Sequence, residues 1–169
     1  DPDTYLSQFI ALFNHIEVYP PDLGATIALV LSVLLLGCSG FVSASEVAFF
    51  SLTPADINDI REEKTPSDPL IQKLLERSEY LLASILIANN FVNVAIVMLC
   101  TFGINSIINF SAAPMLGFIL ETIILTFLLL LFGEIMPKIY AQKNSLRFVR
   151  RSAPVLNCLL YTSDAADEA

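Results

Sequence analysis

Three apolar stretches, at residues 23–45, 80–110 and about 122–140, dominate this sequence of 169 residues. Each is long enough to cross the hydrocarbon core of a bilayer, which takes about 20 apolar residues in a helix. The first two contain no Asp, Glu, Lys or Arg, and the third contains only Glu134 and Lys138, near its end. Charged residues make up 15% of the chain, against about 25% in a soluble domain. The sequence therefore predicts an all-α membrane protein with three transmembrane helices.

The basic residues predict the orientation of these helices. All nine Lys and Arg fall in two groups, one between the first two spans and one from the end of the third span onward. They are Arg61, Lys64, Lys73 and Arg77 in the first group, and Lys138, Lys143, Arg147, Arg150 and Arg151 in the second. Because positively charged loops stay in the cytoplasm, we expect the N-terminus outside and the C-terminus inside. This topology accounts for the basic residues, so they do not indicate nucleic-acid binding.

Shorter segments precede, connect and follow the spans. Residues 1–19 carry apolar side chains at helical spacing, which predicts an amphipathic helix on the outer surface. The three-span domain is expected at 20–142, with a cytoplasmic helical pair at about 53–78 that begins at a Thr-Pro capping signal. At 143–157, apolar residues interleaved with Lys and Arg predict a juxtamembrane amphipathic helix that lies along the inner leaflet and attracts anionic lipid.

Both ends of the chain suggest a piece of a longer protein. The chain begins with Asp1 rather than Met, so we expect a preceding N-terminal segment. Residues 158–169 resemble a translated sequencing adapter, and we expect this tail to be non-native. The natural sequence after Asn157 would then be missing.

The sequence gives no sign of enzyme chemistry. No nucleophile–base pair or cofactor motif is visible, and we expect no enzymatic activity. Cys38, Cys100 and Cys158 are scattered along the chain and form no CxxC pair, so we interpret them as small apolar side chains.

Each of the three spans carries polar residues in the cytoplasmic half of the membrane or near its middle. They are Ser43, Ser45 and Glu46 on the first span, Asn89, Asn90 and Asn93 on the second, and Gly133 and Glu134 on the third. Every candidate ligand atom is an oxygen, which suits Mg²⁺, Ca²⁺ or Na⁺ rather than zinc or copper. Taken singly, Ser43 and Asn90 fit hydrogen bonding between helices better than ion binding. Together, these residues predict a shared cation site.

Pro137 is predicted to break the third span. Proline has no N–H, so the carbonyl four residues back, that of Gly133, loses its helical partner. The neighbouring Glu134 is a carboxylate in an apolar run, which costs roughly 2.5–3.5 kcal/mol and requires a partner. Lys138, one turn later, is one candidate partner, and a bound cation is the other. On the first span, Glu46 is an alternative partner for the amides of the second span.

Glu121 is an acidic residue at the other end of the third span. It falls in the first turns of that helix, where a carboxylate suits both the outer interface and the positive end of the helix dipole. We therefore assign it no role in transport.

Three motifs resemble the signatures of the CNNM/CorC membrane domain. They are Ser43-Ala-Ser-Glu-Val-Ala48, Asn89-Asn-Phe-Val-Asn93 and Gly133-Glu-Ile-Met-Pro-Lys138, where the family often has S-G-S-E-T-A, G-N-N-x-x-N and G-E-x-x-P-K. The likeness covers about residues 23–150, and residues 45–54 are most similar to the branch named after gliding motility. Ala44 and Ala88 replace family glycines, which removes no ligand oxygen.

This resemblance implies a homodimeric, multi-pass Mg²⁺ transporter of the bacterial inner membrane that exports Mg²⁺ in exchange for Na⁺. It implies cytoplasmic CBS domains, which bind ATP, after the membrane domain. The implied Mg²⁺ ligands are Ser43, Asn90, Asn93, the Gly133 carbonyl and Glu134, supported by Ser45, Glu46, Asn89, Pro137 and Lys138. The alternative function is a membrane anchor or sensor for those CBS domains, without ion flux of its own.

Overall fold

The computed structural model describes residues 2–14, 16–111 and 113–167, which are almost entirely helical. Before the spans lie helix α1 (Pro2–Asn14) and strand β1 (Glu17–Val18). The central elements are α2 (Leu23–Phe50), α3 (Pro54–Arg61), α4 (Asp68–Glu76), α5 (Ser78–Ile107) and strand β2 (Ile108–Asn109). The third span consists of α6 (Pro114–Leu128), a π-helical segment (Leu129–Ile135, hereafter the π segment) and α7 (Met136–Lys143), and α8 (Ser145–Asp167) follows it.

Among the described residues, three helices are long and apolar enough to cross a membrane, as predicted. They are α2, α5 and the continuous Pro114–Lys143, which joins α6, the π segment and α7. Large apolar side chains such as Val33, Phe91 and Phe127 are exposed on their outer faces, as expected for helices that face lipid or a partner. The predicted fold class is therefore confirmed. The first span also continues past Ser45, since α2 ends only at Phe50.

Local capping sets where these helices begin. Asp22 accepts a hydrogen bond of 2.7 Å from the Ala25 N–H and so caps the start of α2. Thr53 and Asp56 form a reciprocal capping box that starts α3, with Pro54 in the first turn. Both caps satisfy backbone N–H groups that have no partner within the helix.

A small strand pair joins the N-terminal segment to the end of α5. Glu17 and Val18 of β1 run antiparallel to Asn109 and Ile108 of β2. The Tyr19 N–H donates to the Ile107 carbonyl at 2.7 Å and extends this connection. The segment before the first span is thus attached to the loop between the second and third.

The main apolar core lies where α3, α4 and α8 pack under α2 and α5. Its fully buried side chains include Ile60, Ile71, Leu81 and Val149. The helical pair is therefore a layer packed under the spans. Val149, on the apolar face of α8, packs on protein in this core, and the position of α8 along the inner leaflet remains a prediction.

A buried ion pair joins α4 to α8 within this core. Asp68 is fully buried and accepts two hydrogen bonds from the Arg150 guanidinium, of 2.9 and 3.1 Å. It also accepts from the Thr65 hydroxyl at 2.7 Å. Burial opposes the charge of this carboxyl, but the Arg150 and Thr65 hydrogen bonds outweigh burial and hold the pKa of Asp68 below its ordinary value.

The helix α8 runs without interruption to Asp167, past Cys158 where the expected tail begins. It starts at Ser145, two residues after the predicted start of the juxtamembrane helix. The non-native origin of the tail remains a prediction.

Candidate cation site

Two serines on α2 form one wall of the candidate site. Ser39 and Ser43 are four residues apart and therefore lie on one face of the helix. Both are fully buried. Gly40 and Ala44 beside them are also buried, and such small residues allow neighbouring helices to approach closely. The polar face of α2 is thus enclosed by the other spans.

Two asparagines on α5 form the second wall. Asn89 and Asn93 are also one helical turn apart, and their amide oxygens face the serines. The Ser39 hydroxyl lies 2.7 Å from Asn93 Oδ1 and 3.0 Å from Asn89 Oδ1. The Ser43 hydroxyl lies 3.4 Å from Asn89 Oδ1. Four side-chain oxygens from two spans therefore meet at one level of the bundle.

The π segment of the third span forms the third wall. Gly133 is buried there, and a Cβ added to it would lie 3.2 Å from Ser39 Oγ. One turn later, Pro137 packs on Gly40, whose added Cβ would lie 3.0 Å from the proline Cγ and 3.1 Å from the Phe132 carbonyl oxygen. Both contacts need the small size of glycine, so these glycines allow the third span to reach the serines.

The π register changes which carbonyl faces the proline. The Met136 N–H donates to the Leu131 carbonyl, five residues back rather than four. In this register Pro137 stands opposite the Phe132 carbonyl, whereas the predicted loss of a partner at Gly133 assumed an α-helical register. The structure thus places the carbonyl opposite the proline one residue earlier than predicted, and Gly133 itself packs against the Ser39 hydroxyl.

These contacts leave the cluster rich in acceptor oxygens. The single Ser39 O–H can satisfy only one of the two amide oxygens beside it at a time. Hydroxyl, amide and carbonyl oxygens are ligands for hard cations such as Mg²⁺, Ca²⁺ or Na⁺. Within the described ranges, no three His, Cys, Asp or Glu side chains come together, so this oxygen cluster is of a different kind from a thiolate or imidazole site.

Several predicted site residues lie outside the cluster. Asn90, one of the two asparagines implied as ligands, is exposed on the surface of α5, and Asn89 takes the position facing the serines. Ser45 is buried but donates to the Phe41 carbonyl of its own helix at 2.7 Å. The face containing Asn89 and Asn93 points inward, and the face containing Asn90 points outward.

The charged residues near the cluster pair differently from the prediction. Lys138 lies 3.6 Å from Glu46 Oε2, so it pairs with Glu46 rather than with Glu134. Glu46 is correspondingly engaged with the third span and not with the amides of α5. Glu134 follows Gly133 in the π segment and is half-buried. Its carboxylate is the negative charge nearest in sequence to the cluster.

Ser39 was missed by the sequence reasoning, although the structure places it at the centre of the cluster. It lies one helical turn before Ser43, so the four-residue spacing that relates Asn89 to Asn93 also relates the two serines. It lies in Gly37-Cys-Ser-Gly40, a run of small residues that by itself indicates only close helix packing.

Three apolar spans with polar side chains converging at one level define an α-helical membrane domain with a candidate cation site. Over residues 30–163 the chain matches the family described as the Cyclin M transmembrane N-terminal domain. The chain therefore belongs to this CNNM family, which confirms the resemblance found in its motifs.

Two curated relatives agree with this assignment. The chain is 30% identical over 131 residues to a UPF0053 protein of Haemophilus influenzae (strain ATCC 51907 / DSM 11121 / KW20 / Rd), a match covering 78% of this chain and 30% of the relative. It is 33% identical over 128 residues to the metal transporter cnnm-4 of Caenorhabditis elegans, covering 72% of this chain and 26% of the relative. The matched region thus spans less than a third of either relative.

Proposed function

We propose that this domain transports Mg²⁺ across the membrane through the oxygen cluster between its three spans. The observation that carries the proposal is the convergence of side-chain oxygens at Ser39, Ser43, Asn89 and Asn93, which lie 2.7, 3.0 and 3.4 Å apart in three Ser–Asn contacts. Oxygens that already lie this close together need to move little to surround one hard cation. The choice of Mg²⁺ among the hard cations comes from the family resemblance.

Binding at this site would replace the Ser–Asn hydrogen bonds with ion contacts. The hydroxyl hydrogens would turn away, and the four side-chain oxygens and the Gly133 carbonyl would face the ion. Glu134 would contribute the negative charge that a divalent cation needs in an apolar bundle. Release on the other side would require the third span to move relative to α2, which separates Gly133 from Ser39.

The finer features of this proposal come from the family resemblance and from the relatives. The name of cnnm-4 as a metal transporter supports a metal ion as the transported substrate. We further propose export coupled to Na⁺ entry, a homodimer in the bacterial inner membrane, and ATP-binding CBS domains in the full-length protein. We also propose the gliding-motility branch of the family on the strength of residues 45–54.

Flux measurements on the protein reconstituted in proteoliposomes test the proposal. A Mg²⁺-sensitive dye inside the vesicles would report transport, with Na⁺ gradients of both directions imposed across the membrane. We expect Mg²⁺ flux that depends on the Na⁺ gradient and falls to the protein-free background in Asn93→Ala. Wild-type protein without flux, or full flux in Asn93→Ala, would contradict a transport site at the cluster.

The alternative is a membrane anchor or sensor for cytoplasmic domains. It is favoured by the Asp68–Arg150 pair, which couples α8 rigidly to the helical pair beneath the spans. A sensor would bind Mg²⁺ at the cluster and change the position of α8 without moving ions. Mg²⁺ binding without flux, together with a Mg²⁺-dependent distance change between spin labels on α6 and α8, would favour this alternative.

A further inference from the structure

A polar pocket lies at the opposite end of the bundle from α3, α4 and α8. It has a volume of about 340 Å³ and is enclosed by the end of α5, β2 and the first turns of α6. Oxygen-bearing side chains of Thr101, Asn105, Asn109 and Glu121 line it. By the charge distribution this end faces the outside. We call it the outer pocket.

Glu121 lines the outer pocket and carries an unsatisfied oxygen. Its Oε1 atom is buried and, among the described residues, has no hydrogen-bond partner. Buried carboxyl oxygens without partners are rare. A buried oxygen that forms no hydrogen bond loses its contacts with water and gains nothing in return, so the full desolvation cost of the group remains. A group with hydrogen-bond donors or positive charge beside this oxygen would satisfy it, and none of the described residues supplies one.

An apolar region separates the outer pocket from the oxygen cluster. A cavity of about 150 Å³ lies between them, lined mainly by apolar side chains that include Leu29, Ile96 and Leu125. Glu121 also precedes Gly133 by about 18 Å along the third span at the helical rise per residue. The two polar regions are therefore separate sites rather than two parts of one.

We propose that the outer pocket is a second cation-binding site, which holds a hard cation together with part of its water shell. One carboxylate with neutral hydroxyl and amide oxygens is the ligand chemistry of Na⁺, Mg²⁺ and Ca²⁺. A volume of about 340 Å³ corresponds to roughly ten water molecules at about 30 Å³ each, so an ion need not lose its hydration to enter. This contrasts with the closely spaced oxygens at Ser39.

This assignment reverses the expectation that Glu121 has no role in the passage of ions. A hydrated site outside an apolar barrier would hold an ion that has left the inner cluster or is about to exchange with it. The inference does not depend on transport through the inner cluster, since it rests on the pocket and on the Glu121 oxygen alone.

Cysteine protection in the reconstituted protein tests the second site directly. Ser111 lines the outer pocket and is exposed, so Ser111→Cys places a thiol at its edge. The three native cysteines are replaced by Ala, and the new thiol is labelled from outside with a membrane-impermeant maleimide in MgCl₂, NaCl or choline chloride of equal ionic strength. At a cation concentration ten times its Kd, we expect labelling about tenfold slower than in choline, because only the unoccupied fraction reacts.

Matched variants assign the protection to Glu121. Glu121→Gln should abolish it, whereas Glu17→Gln should retain it, because Glu17 is an exposed carboxylate at the same end of the bundle. Ser39→Ala should also retain it, which separates failure of this site from failure of the inner one. Asn105→Ala should weaken protection and serves as a second test if Glu121→Gln does not yield folded protein.

Protection by MgCl₂, by NaCl or by both would support the proposal and would identify the ion. Equal labelling rates in all three salts would overturn it. Protection that is unchanged in both Glu121→Gln and Asn105→Ala would also overturn it.

Discussion

The Ser39 hydroxyl lies 2.7 Å from Asn93 Oδ1, a contact that joins the first and second spans across 54 residues of sequence. It is the shortest of the three contacts that bring the serine hydroxyls onto the amide oxygens of α5. Ser39 also faces Gly133 of the third span, so this one hydroxyl lies where all three spans meet.

Replacing Ser39 with Ala should weaken Mg²⁺ binding more than any comparable change on α2. We expect at least about a tenfold loss of affinity, which corresponds to roughly 1.4 kcal/mol for one lost oxygen ligand. Isothermal titration of the detergent-solubilised protein with MgCl₂ measures it. Ser45→Ala is the matched control, because Ser45 is equally buried on the same helix but donates to the Phe41 carbonyl. Equal losses in the two variants would argue against a ligand role for Ser39.

The two neighbouring asparagines should behave differently. Asn89→Ala removes an oxygen that both serine hydroxyls contact, and we expect Mg²⁺ flux in proteoliposomes to fall to background. Asn90→Ala should retain most of the flux, because Asn90 is exposed on the outer face of α5. If Asn90→Ala abolished the flux and Asn89→Ala retained it, Asn90 would be the ligand, as the sequence motif predicts.

Glycine substitutions test the close approach of the third span to α2. In Gly40→Ala the new methyl group would lie 3.0 Å from Pro137 Cγ and 3.1 Å from the Phe132 carbonyl oxygen. We expect a loss of about 1–3 kcal/mol in stability from this overpacking. Gly37→Ala is the control, since nothing lies within 4 Å of its added Cβ, and it should leave thermal unfolding in detergent unchanged or slightly raised. Similar melting temperatures for the two variants would contradict the close contact of Pro137 with Gly40.

The Asp68–Arg150 pair should give the cytoplasmic layer an acid-sensitive stability. Asp68→Asn leaves the half-buried Arg150 guanidinium without its charge partner, and we expect a loss below the about 3–5 kcal/mol that breaking a fully buried pair costs. The pKa of Asp68 is lowered in the folded protein, so its stabilisation is complete above the unfolded value of about 3.9 and is lost as the pH falls through the folded value.

Thermal unfolding of wild type and Asp68→Asn from neutral to acid pH measures this effect. The melting temperatures should differ at neutral pH and converge at the acid end. Asp59→Asn is the control, because Asp59 pairs with Lys64 at the surface and exposed pairs contribute about 0–1 kcal/mol. A difference between wild type and Asp68→Asn that persists unchanged into acid would show that the charge of Asp68 is not the cause.

The spans and their order could be predicted from the sequence because hydrocarbon length is a strong constraint. The motifs also indicated which level of each span carries the oxygens. The face of α5 was harder to predict, because Asn89, Asn90 and Asn93 offer two pairings at helical spacing. Only the direction in which α5 meets α2 decides between Asn89 and Asn90, and that direction comes from tertiary packing.

Two other features were not accessible from local sequence. Pro137 indicates a break, but local sequence does not predict that the chain takes a π turn before it or that the proline packs on Gly40 of α2. Asp68 looks like an ordinary N-terminal helix charge, and its burial follows from α8 packing over it with Arg150 in reach. In both cases the decisive partner is distant along the chain.

The π segment also fixes the rotational phase between the two halves of the third span. A π turn contains one residue more than an α turn, and each residue of an α-helix turns the chain by about 100°. Removing one residue from the π segment would rotate the outer half of the third span by about 100° relative to its inner half. Glu121 would then leave the space beside Asn105, while Lys138 would stay beside Glu46. The extra residue of the π segment therefore allows Glu121 and Lys138 to occupy their positions at the two ends of the bundle at the same time.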